Sequence, residues 1–195
     1  MPSEQLALVI MAGGRSQRFG VQDKLQADLN GLPLGLHAAA RLAPLGWAQR
    51  LAVARAPLDG NLSELGFRCL RPAADSGLGD NLALAAEAFG DIAGALILLA
   101  DMPFVTQAHV DQMMAAATSP ANIVCSLSKG VRSPPVLIGR DHFPALRALS
   151  GDEGAKTLFK APGTNLIEIA ANDEVTVDID TVDALARWQR KGVAD

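Results

Sequence analysis

Aromatic residues are scarce in this chain, at 4% of 195 residues, and charged residues supply only 19% against 49% hydrophobic. With so few rings and so much Ala, Leu, Val and Ile, the expected core is aliphatic, made of packed helices and strands. Cysteine is nearly absent. Cys69 and Cys125 both lie in apolar, strand-like contexts and share no metal-ligand spacing, so both read as buried free thiols. Long apolar runs are missing too. The strongest, residues 94–100, falls far short of the about 20 residues that span a bilayer. No basic segment precedes the N-terminal apolar stretch, so a signal peptide is not expected and the expected location is the cytoplasm, with no membrane partner. An excess of positive charge is also lacking: 17 Lys and Arg face 21 Asp and Glu, for a net charge of -4. That argues against a nucleic-acid binder, which needs a basic face. It leaves room for a nucleotide, for which a few cations in one loop suffice.

What the sequence does contain is alternation. Residues 6–11 (LALVIM) are a buried strand feeding a Gly-rich loop that runs from Gly13 to Lys24. A helix is expected over 35–45, stopped by Gly46, then strands over 50–54 and 67–70, a loop over 72–79 and a helix over 81–89. Residues 95–100 (ALILLA) are apolar throughout, the pattern of a strand buried on both faces. Thr106 caps a helix reaching Ala117, and residues 122–126 and 136–138 are strands separated by the break at Pro134-Pro135. Helical patterns over 141–149 and 154–160 lead to strands over 165–170 and 176–179, and Thr181 caps a last helix to Lys191. Strands alternating with helices predict one three-layer α/β/α domain over residues 1–195, with a mostly parallel sheet and right-handed crossovers.

Ligands of such sheets sit outside the carboxyl ends of the strands, so the residues at the strand ends are the candidates. After the first strand come Ala12, Gly13, Gly14, Arg15, Ser16 and Arg18, with Lys24 beyond. Glycines let successive backbone N–H groups approach an anion, arginines match phosphate oxygens in a two-pronged fashion, and a lysine adds a mobile charge. The loop is neither a P-loop nor a dinucleotide fingerprint: Gly20 is followed by Val21-Gln22, and no G-x-G-x-x-G spacing occurs. Asp101 follows the 95–100 strand directly, where a carboxylate is costly unless it serves a cation or a hydrogen-bond network. Asp178 and Asp180 are two apart, so in an extended chain both face one side while Ile179 enters the core. A phosphate cradle with two acidic centres able to hold Mg²⁺ is what nucleotidyl transfer requires.

These segments resemble the MobA-like NTP transferases, in particular the molybdenum cofactor nucleotidyltransferases. Ala12 to Gly20 with Lys24 is similar to the family's N-terminal signature. Asp101-Met102-Pro103 is similar to its Asp-x-Pro, Ser150 to Lys156 to its Ser-Gly-Asp-x-Gly-Ala-Arg/Lys, and Asp178 to Thr181 to its Asp-Ile-Asp-Thr. The resemblance implies a Rossmann-like, GT-A-like nucleotidyltransferase fold. It also implies a reaction in which an NTP and molybdopterin, or the molybdenum cofactor, give a dinucleotide cofactor and pyrophosphate. Carried over by position, Arg15, Arg18 and Lys24 hold the triphosphate, with Arg18, Lys24 and Asp101 in the catalytic role. Asp101 with Asp178 or Asp180 binds Mg²⁺. Ala12, Gly13, Gly14 and Ser16 line the nucleotide site, and Asp75 and Gly77 reach towards base or ribose. Arg132, Ser133, Pro134, Gly151, Asp152, Gly154 and Ala155 face the acceptor. The implied partners are CTP or GTP, the pterin, and an acceptor molybdoenzyme or its chaperone. Ala12-Gly13-Gly14 resembles the guanylyltransferases and the C-terminal third the cytidylyltransferases; the longer matches favour CTP.

Two rival readings differ in class. A nucleotidyltransferase for another small phosphorylated acceptor would share the loop and the Mg²⁺ site but not the segment from Gly151 to Ala155. A non-catalytic nucleotide-binding protein that delivers cofactor would not require both Lys24 and the acidic centres. His37, His109 and His142 show no nucleophile or carboxylate pattern and are expected to be structural.

Overall fold

The computed structural model describes residues 1–14, 23–161 and 163–191. In chain order the elements are β1 (Leu6–Ala12), the short β2 (Asp28–Leu29) and β3 (Leu32–Pro33), α1 (His37–Leu42), β4 (Gln49–Ala54), α2 (Leu58–Glu64), β5 (Arg68–Leu70), α3 (Leu78–Glu87), β6 (Gly94–Leu99), α4 (Gln107–Ala116), β7 (Asn122–Ser128), β8 (Val131–Gly139), α5 (Phe143–Arg147), β9 (Asn165–Ala170) and α6 (Val182–Lys191). Seven strands form one sheet in the order β5-β4-β1-β6-β8-β7-β9, and β2 and β3 make a separate hairpin. The sheet is parallel except for β8, which runs antiparallel to both of its neighbours.

The apolar run of β1 accounts for its central place. All seven of its residues are buried. Leu6, Leu8, Ile10 and Ala12 meet α1, α2 and α4 on one face, whereas Ala7, Val9 and Met11 meet α3 and α5 on the other. Successive side chains of a strand point to opposite faces, so an uninterrupted apolar run fits only a strand covered on both sides. β6 behaves alike, with Leu96 and Leu98 on the first face and Ala95 and Ile97 on the second. Each of the Leu, Ile, Val and Met side chains contributes about 1.5–3 kcal/mol of burial. The chain order reverses between β1 and β6: β4 and β5 extend the sheet from β1 one way, and later strands extend it from β6 the other way. Their carboxyl ends therefore diverge and leave a crevice.

A third, smaller cluster fixes what surrounds that crevice. Leu29 and Leu34 of the hairpin region pack with Phe104, Ile179 and Leu185, and Trp188 of α6 lies against Phe104 with ring centroids 4.2 Å apart. Thr106 caps α4 by accepting from His109 N at 3.3 Å, and Thr181 caps α6 by accepting from Ala184 N at 3.1 Å. Gly46 ends the α1 region in a left-handed conformation, φ 73°, a cap that suits glycine.

Several elements depart from the sequence expectations. Residues 176–179 join no strand of the sheet; Ile179 N instead donates to Asp101 O at 3.0 Å, one isolated bond to a loop. Pro134-Pro135 does not end a strand. β8 runs through it, and its pairing with β7 shifts register between Cys125 and Ser126, which leaves the two prolines, without N–H donors, outside the ladder. The 154–160 segment is a 3-10 helix (Ala155–Lys160) rather than an α-helix. The α-helical part of 35–45 is confined to α1, flanked by 3-10 turns. The β2–β3 hairpin and α2 carry no strong periodicity in the sequence, and the structure adds them to the expected elements. Cys125 is buried as expected, and Cys69 is half-buried. No helix among the described residues is long and apolar enough to cross a membrane.

Candidate active site

β1 delivers Ala12, Gly13 and Gly14 to the crevice, and β6 delivers Asp101 two residues past its end. Together with Lys24, Asp75, Gly77, Asn81, Gly151 and Asp152 they line a cavity of about 520 Å³. Arg15, Ser16 and Arg18 lie outside the described residues. Met11, Leu25, Leu78 and Leu99 give the cavity an apolar part.

Lys24 opens a 3-10 turn whose start is capped by the Asp23 carboxylate, which accepts from Leu25 N at 3.0 Å. Its ammonium donates to Asp101 Oδ2 at 2.5 Å and to Asp180 Oδ1 at 2.6 Å. The residues sit 77 and 156 positions apart in sequence, so only the fold joins them. Two features bring Asp180 there: the main-chain bond from Ile179 to Asp101 O, and burial of Ile179 in the third cluster. Arg41 braces the loop after Asp101 by donating to Pro103 O at 2.8 Å and Val105 O at 3.1 Å.

The electrostatics follow from burial. The side chains of Lys24 and Asp101 are only 14% and 15% exposed, against 40% for Asp180. Burial pushes the Asp101 carboxyl above its ordinary range, and the nearby charges of Asp178 and Asp180 push the same way, outweighing the pull of Lys24. For Lys24 burial acts downward, but the Asp101 and Asp180 carboxylates prevail and hold the ammonium above its usual value. Asp101 Oδ1 is buried and accepts no hydrogen bond. An orphaned, buried carboxylate oxygen flanked by two more acids suits a hard divalent cation. Among the described residues no three His, Cys, Asp or Glu side chains form a complete cage. Mg²⁺ characteristically takes one or two carboxylates and completes its shell with water and phosphate oxygens, so the donor set fits.

A second device joins two walls of the cavity. Asp80, in the first turn of α3, accepts from Gly77 N at 2.9 Å and from Gly151 N at 3.0 Å, and Gly79 N donates to Gly151 O at 2.7 Å. The loops meet so closely that a Cβ on Gly77 would lie 2.2 Å from Gly151 O, and one on Gly79 would lie 2.6 Å from Ser150 O. Asp80→Ala removes two charge-assisted bonds, each worth about 1.5–3 kcal/mol when well shielded, from a half-buried site. The expected result is a loss of about 1–2 kcal/mol of stability and faster amide hydrogen exchange confined to residues 77–79 and 150–152. Unchanged exchange there would show that the carboxylate does not hold the two loops.

The other residues marked by the sequence divide. Gly151 and Asp152 line the main cavity, whereas Arg132 lines another of about 560 Å³ with Lys156 and Lys160. Arg132 Nε there donates to Glu168 Oε1 at 2.5 Å. Ser133 and Pro134 line neither cavity, and Gly154 and Ala155 continue from the Asp152 wall into the 3-10 helix. Asp178 is exposed and acts on Asp101 through charge. The histidines are structural: His37 Nε2 is 2.9 Å from Leu29 O, His109 Nε2 is 2.8 Å from Ser126 Oγ, and His142 Nε2 is 3.0 Å from Ala121 O. Sequence reasoning missed Asn81 as a wall of the cavity, because its neighbour there, Gly13, is remote along the chain.

The chain is similar to known proteins over most of its length. The family model described as "MobA-like NTP transferase domain" matches residues 8–167, from β1 into β9. The purine catabolism protein PucB of Bacillus subtilis (strain 168) is 29% identical over 198 aligned positions, covering 93% of this chain and 94% of that protein. A molybdenum cofactor guanylyltransferase of Shewanella loihica is 31% identical over 147 positions, covering 74% and 72%. Among solved structures, a homologue of Mycobacterium tuberculosis Rv0371c from Mycobacterium sp. strain JC1 superposes with a TM-score of 0.81 at 21% identity, covering 98% of each chain. Rv0371c itself, solved as a manganese complex, superposes with a TM-score of 0.75 at 20% identity, covering 96% of this chain and 100% of that one. A glycine-walled crevice at the strand-order switch, an acidic strand end and a match running through most of the sheet have one common explanation: the chain is a nucleotidyltransferase of the MobA-like NTP transferase domain family.

Proposed function

We propose that the protein transfers a nucleoside monophosphate from an NTP to molybdopterin or its molybdenum-loaded form, with release of pyrophosphate. The observation that carries this reading is the meeting of Lys24 with Asp101 and Asp180, where Lys24 and Asp101 line one cavity with Gly13 and Gly14. The acceptor rests on the Shewanella relative, a molybdenum cofactor guanylyltransferase, and on the segment from Gly151 to Ala155, whose first two residues share the nucleotide cavity.

In this scheme an oxygen of the acceptor's terminal phosphate forms a bond to the α-phosphorus. The bond from that phosphorus to the bridging β-oxygen breaks, and pyrophosphate leaves with the electron pair. Lys24 turns its ammonium from the carboxylates to the β- and γ-phosphate oxygens and neutralises the charge that builds on the leaving group. Arg15 and Arg18 are assigned to the same phosphates. Asp101, with Asp178 or Asp180, would hold Mg²⁺, which when bound supplies charge neutralisation across the phosphate oxygens; the manganese complex of Rv0371c supports a divalent cation at this fold. Asp75 and Gly77 approach the base or ribose, and Asp152 with Gly154 and Ala155 receives the acceptor. Arg132, which lines a second cavity with Lys156 and Lys160, is assigned to an anionic part of the acceptor, together with Ser133 and Pro134, which follow it in β8.

CTP is the favoured donor, on the longer C-terminal resemblance; GTP is the second reading, favoured by the guanylyltransferase relative and by Gly13. Parallel calorimetric titration with CTP and GTP in the presence of Mg²⁺ and molybdopterin, with pyrophosphate release as the activity readout, decides both points. Tighter binding of CTP with molybdopterin-dependent pyrophosphate release is expected. Pyrophosphate release with a different phosphorylated acceptor but not with molybdopterin would overturn the acceptor assignment, and tighter GTP binding would overturn the base.

A further inference from the structure

The wall of the cavity assigned to the acceptor has no apolar anchor of its own. Ser150, Gly151, Asp152 and Glu153 are exposed and Gly154 is half-buried. The chain on either side is fixed by burial: Leu146 and Leu149 before it, and Leu158 and Phe159 after it, belong to the core cluster under α3. Within the segment the bonds are local, Glu153 N donating to Ser150 O at 3.3 Å and Ser150 N to Glu153 Oε2 at 3.4 Å. Among the described residues, the hydrogen bonds that tie 150–154 to another element both run to the first turn of α3: Gly79 N donates to Gly151 O at 2.7 Å, and Gly151 N donates to Asp80 Oδ1 at 3.0 Å. A loop with no buried side chains keeps its place only through such bonds.

That junction is built to be rigid. Both partners of Asp80 are N–H donors, Gly77 N on Oδ2 and Gly151 N on Oδ1. A carboxylate accepts at both oxygens, whereas a carboxamide accepts at one and sets its NH₂ against the other donor. The glycines bring backbone against backbone. A Cβ on Gly79 would lie 2.6 Å from Ser150 O and 2.9 Å from Ser150 N, and one on Gly77 would lie 2.7 Å from Asp152 Oδ1. The loop before α3 is held on its other side by Arg55, just past β4, which donates to Ala73 O at 2.8 Å and more distantly, at 3.4 Å, to Pro72 O and to Gly13 O. One set of bonds thus runs from the glycine turn after β1, through 72–77 and Asp80, to the acceptor wall.

We infer that Asp80 is a positioning residue for nucleotidyl transfer: by locking Gly151 to Gly77 it fixes the acceptor wall against the nucleotide wall and so aligns the acceptor's phosphate with the α-phosphorus. This inference rests on the proposed function and deepens it. Asp80 itself lines neither cavity, so its loss is felt in the transfer step and not in nucleotide binding. Reacting atoms must stand about 3–3.5 Å apart and in line, and a misplacement of about 1 Å can cost about 10²-fold.

The test compares the wild type with Asp80→Ala, Asp80→Asn, Asp80→Glu, Gly79→Ala and the Gly79→Ala/Asp80→Ala double variant. Calorimetric titration with CTP and GTP in Mg²⁺ gives nucleotide affinity and the number of competent sites, and pyrophosphate release with saturating molybdopterin gives kcat per site. Asp80→Ala is expected to lose about 10–100-fold in kcat per site, with nucleotide affinity within about 3-fold of the wild type. Asp80→Asn is expected to lose less, because one of the two bonds can survive, and Asp80→Glu to recover part of the rate. Alanine is the better helix former, so Gly79→Ala leaves α3 intact and should give the same signature by forcing Ser150 away. It should add little in the Asp80→Ala background, since both act on one junction.

A kcat per site within about 2-fold of the wild type in both Asp80→Ala and Gly79→Ala overturns the inference; fewer titratable sites or a lower unfolding midpoint with that rate kept would show a structural role alone. A fall in nucleotide affinity as large as the fall in kcat overturns it in favour of a role in the nucleotide site. If the wild type transfers to another phosphorylated acceptor and not to molybdopterin, the same comparison is made with that acceptor. A wild type that binds no NTP and releases no pyrophosphate sinks the nucleotidyl-transfer reading, and the inference falls with it.

Discussion

Asp101→Asn is expected to lower turnover by about 10²–10³-fold, the usual cost of removing a group that stabilises transition-state charge, while leaving folding stability at neutral pH unchanged or raised. The two halves of this expectation have one physical origin. Asp101 is held at the end of β6 in a buried place that disfavours its charge, and Asp178 and Asp180 disfavour it further. A carboxyl whose folded pKa lies above its unfolded value costs stability once ionised. That cost is fully present above the folded pKa and is relieved as pH falls through it. Asparagine keeps the shape without the charge. The bond from Ile179 N reaches the main-chain oxygen of Asp101, so the acidic segment stays in position, and Lys24 retains Asp180. Chemical denaturation of chelator-treated protein at several pH values, alongside a pyrophosphate-release assay, checks both halves. The stability difference between variant and wild type should shrink on acidification through the raised Asp101 pKa. Wild-type turnover in the variant would remove Asp101 from the mechanism, and a large loss of stability at neutral pH would mean its charge supports the fold.

Much of the sheet was legible because its central strands are apolar along their whole length. LALVIM and ALILLA admit few other readings, and helices between them imply parallel pairing. The caps at Thr106 and Thr181 and the stop at Gly46 were legible for the same local reasons. The reversal of β8 was not, because direction is set by which neighbour a strand pairs with, and nothing in VRSPPVLIG states it. The extended 176–179 segment reads as a strand because alternation of Val177 and Ile179 with Asp178 and Asp180 is a strand pattern. Its apolar residues instead enter the small cluster with Phe104 and Leu185, where alternation serves packing without a ladder. In the site, Lys24, Asp101 and Asp180 stood out as charges at strand or loop ends. The joining of Asp80 to Gly151 and the fit of Asn81 to Gly13 arise only from tertiary contact, and neither residue type at those positions announces it.

Lys24→Met is expected to reduce turnover by a similar factor of about 10²–10³, with a different signature in metal binding. The Lys24 ammonium bridges Asp101 and Asp180, two of the three carboxylates assigned to Mg²⁺. A divalent cation arriving alone must displace it, whereas one arriving with a triphosphate brings a new partner for the displaced ammonium. Nucleotide and metal should therefore bind the wild type with positive coupling, each raising the affinity for the other by the same factor. Methionine keeps the aliphatic stem and removes the competitor. The variant is expected to bind Mg²⁺ more tightly than the wild type in the absence of nucleotide, and to lose most of the coupling. Its stability moves the other way from that of Asp101→Asn. Because the folded pKa of Lys24 is raised, its contribution is fully present below the ordinary lysine value and is lost as pH rises through the folded one. Without it the acidic group is left uncompensated, at an expected cost of about 1–3 kcal/mol, below that of a fully buried pair because Asp180 is partly exposed. Mg²⁺ should restore most of that loss in the variant and little in the wild type, measured as the shift in unfolding midpoint with and without the ion. Equal Mg²⁺ affinity and an equal shift in both proteins would show that the lysine does not stand in the place of the cation.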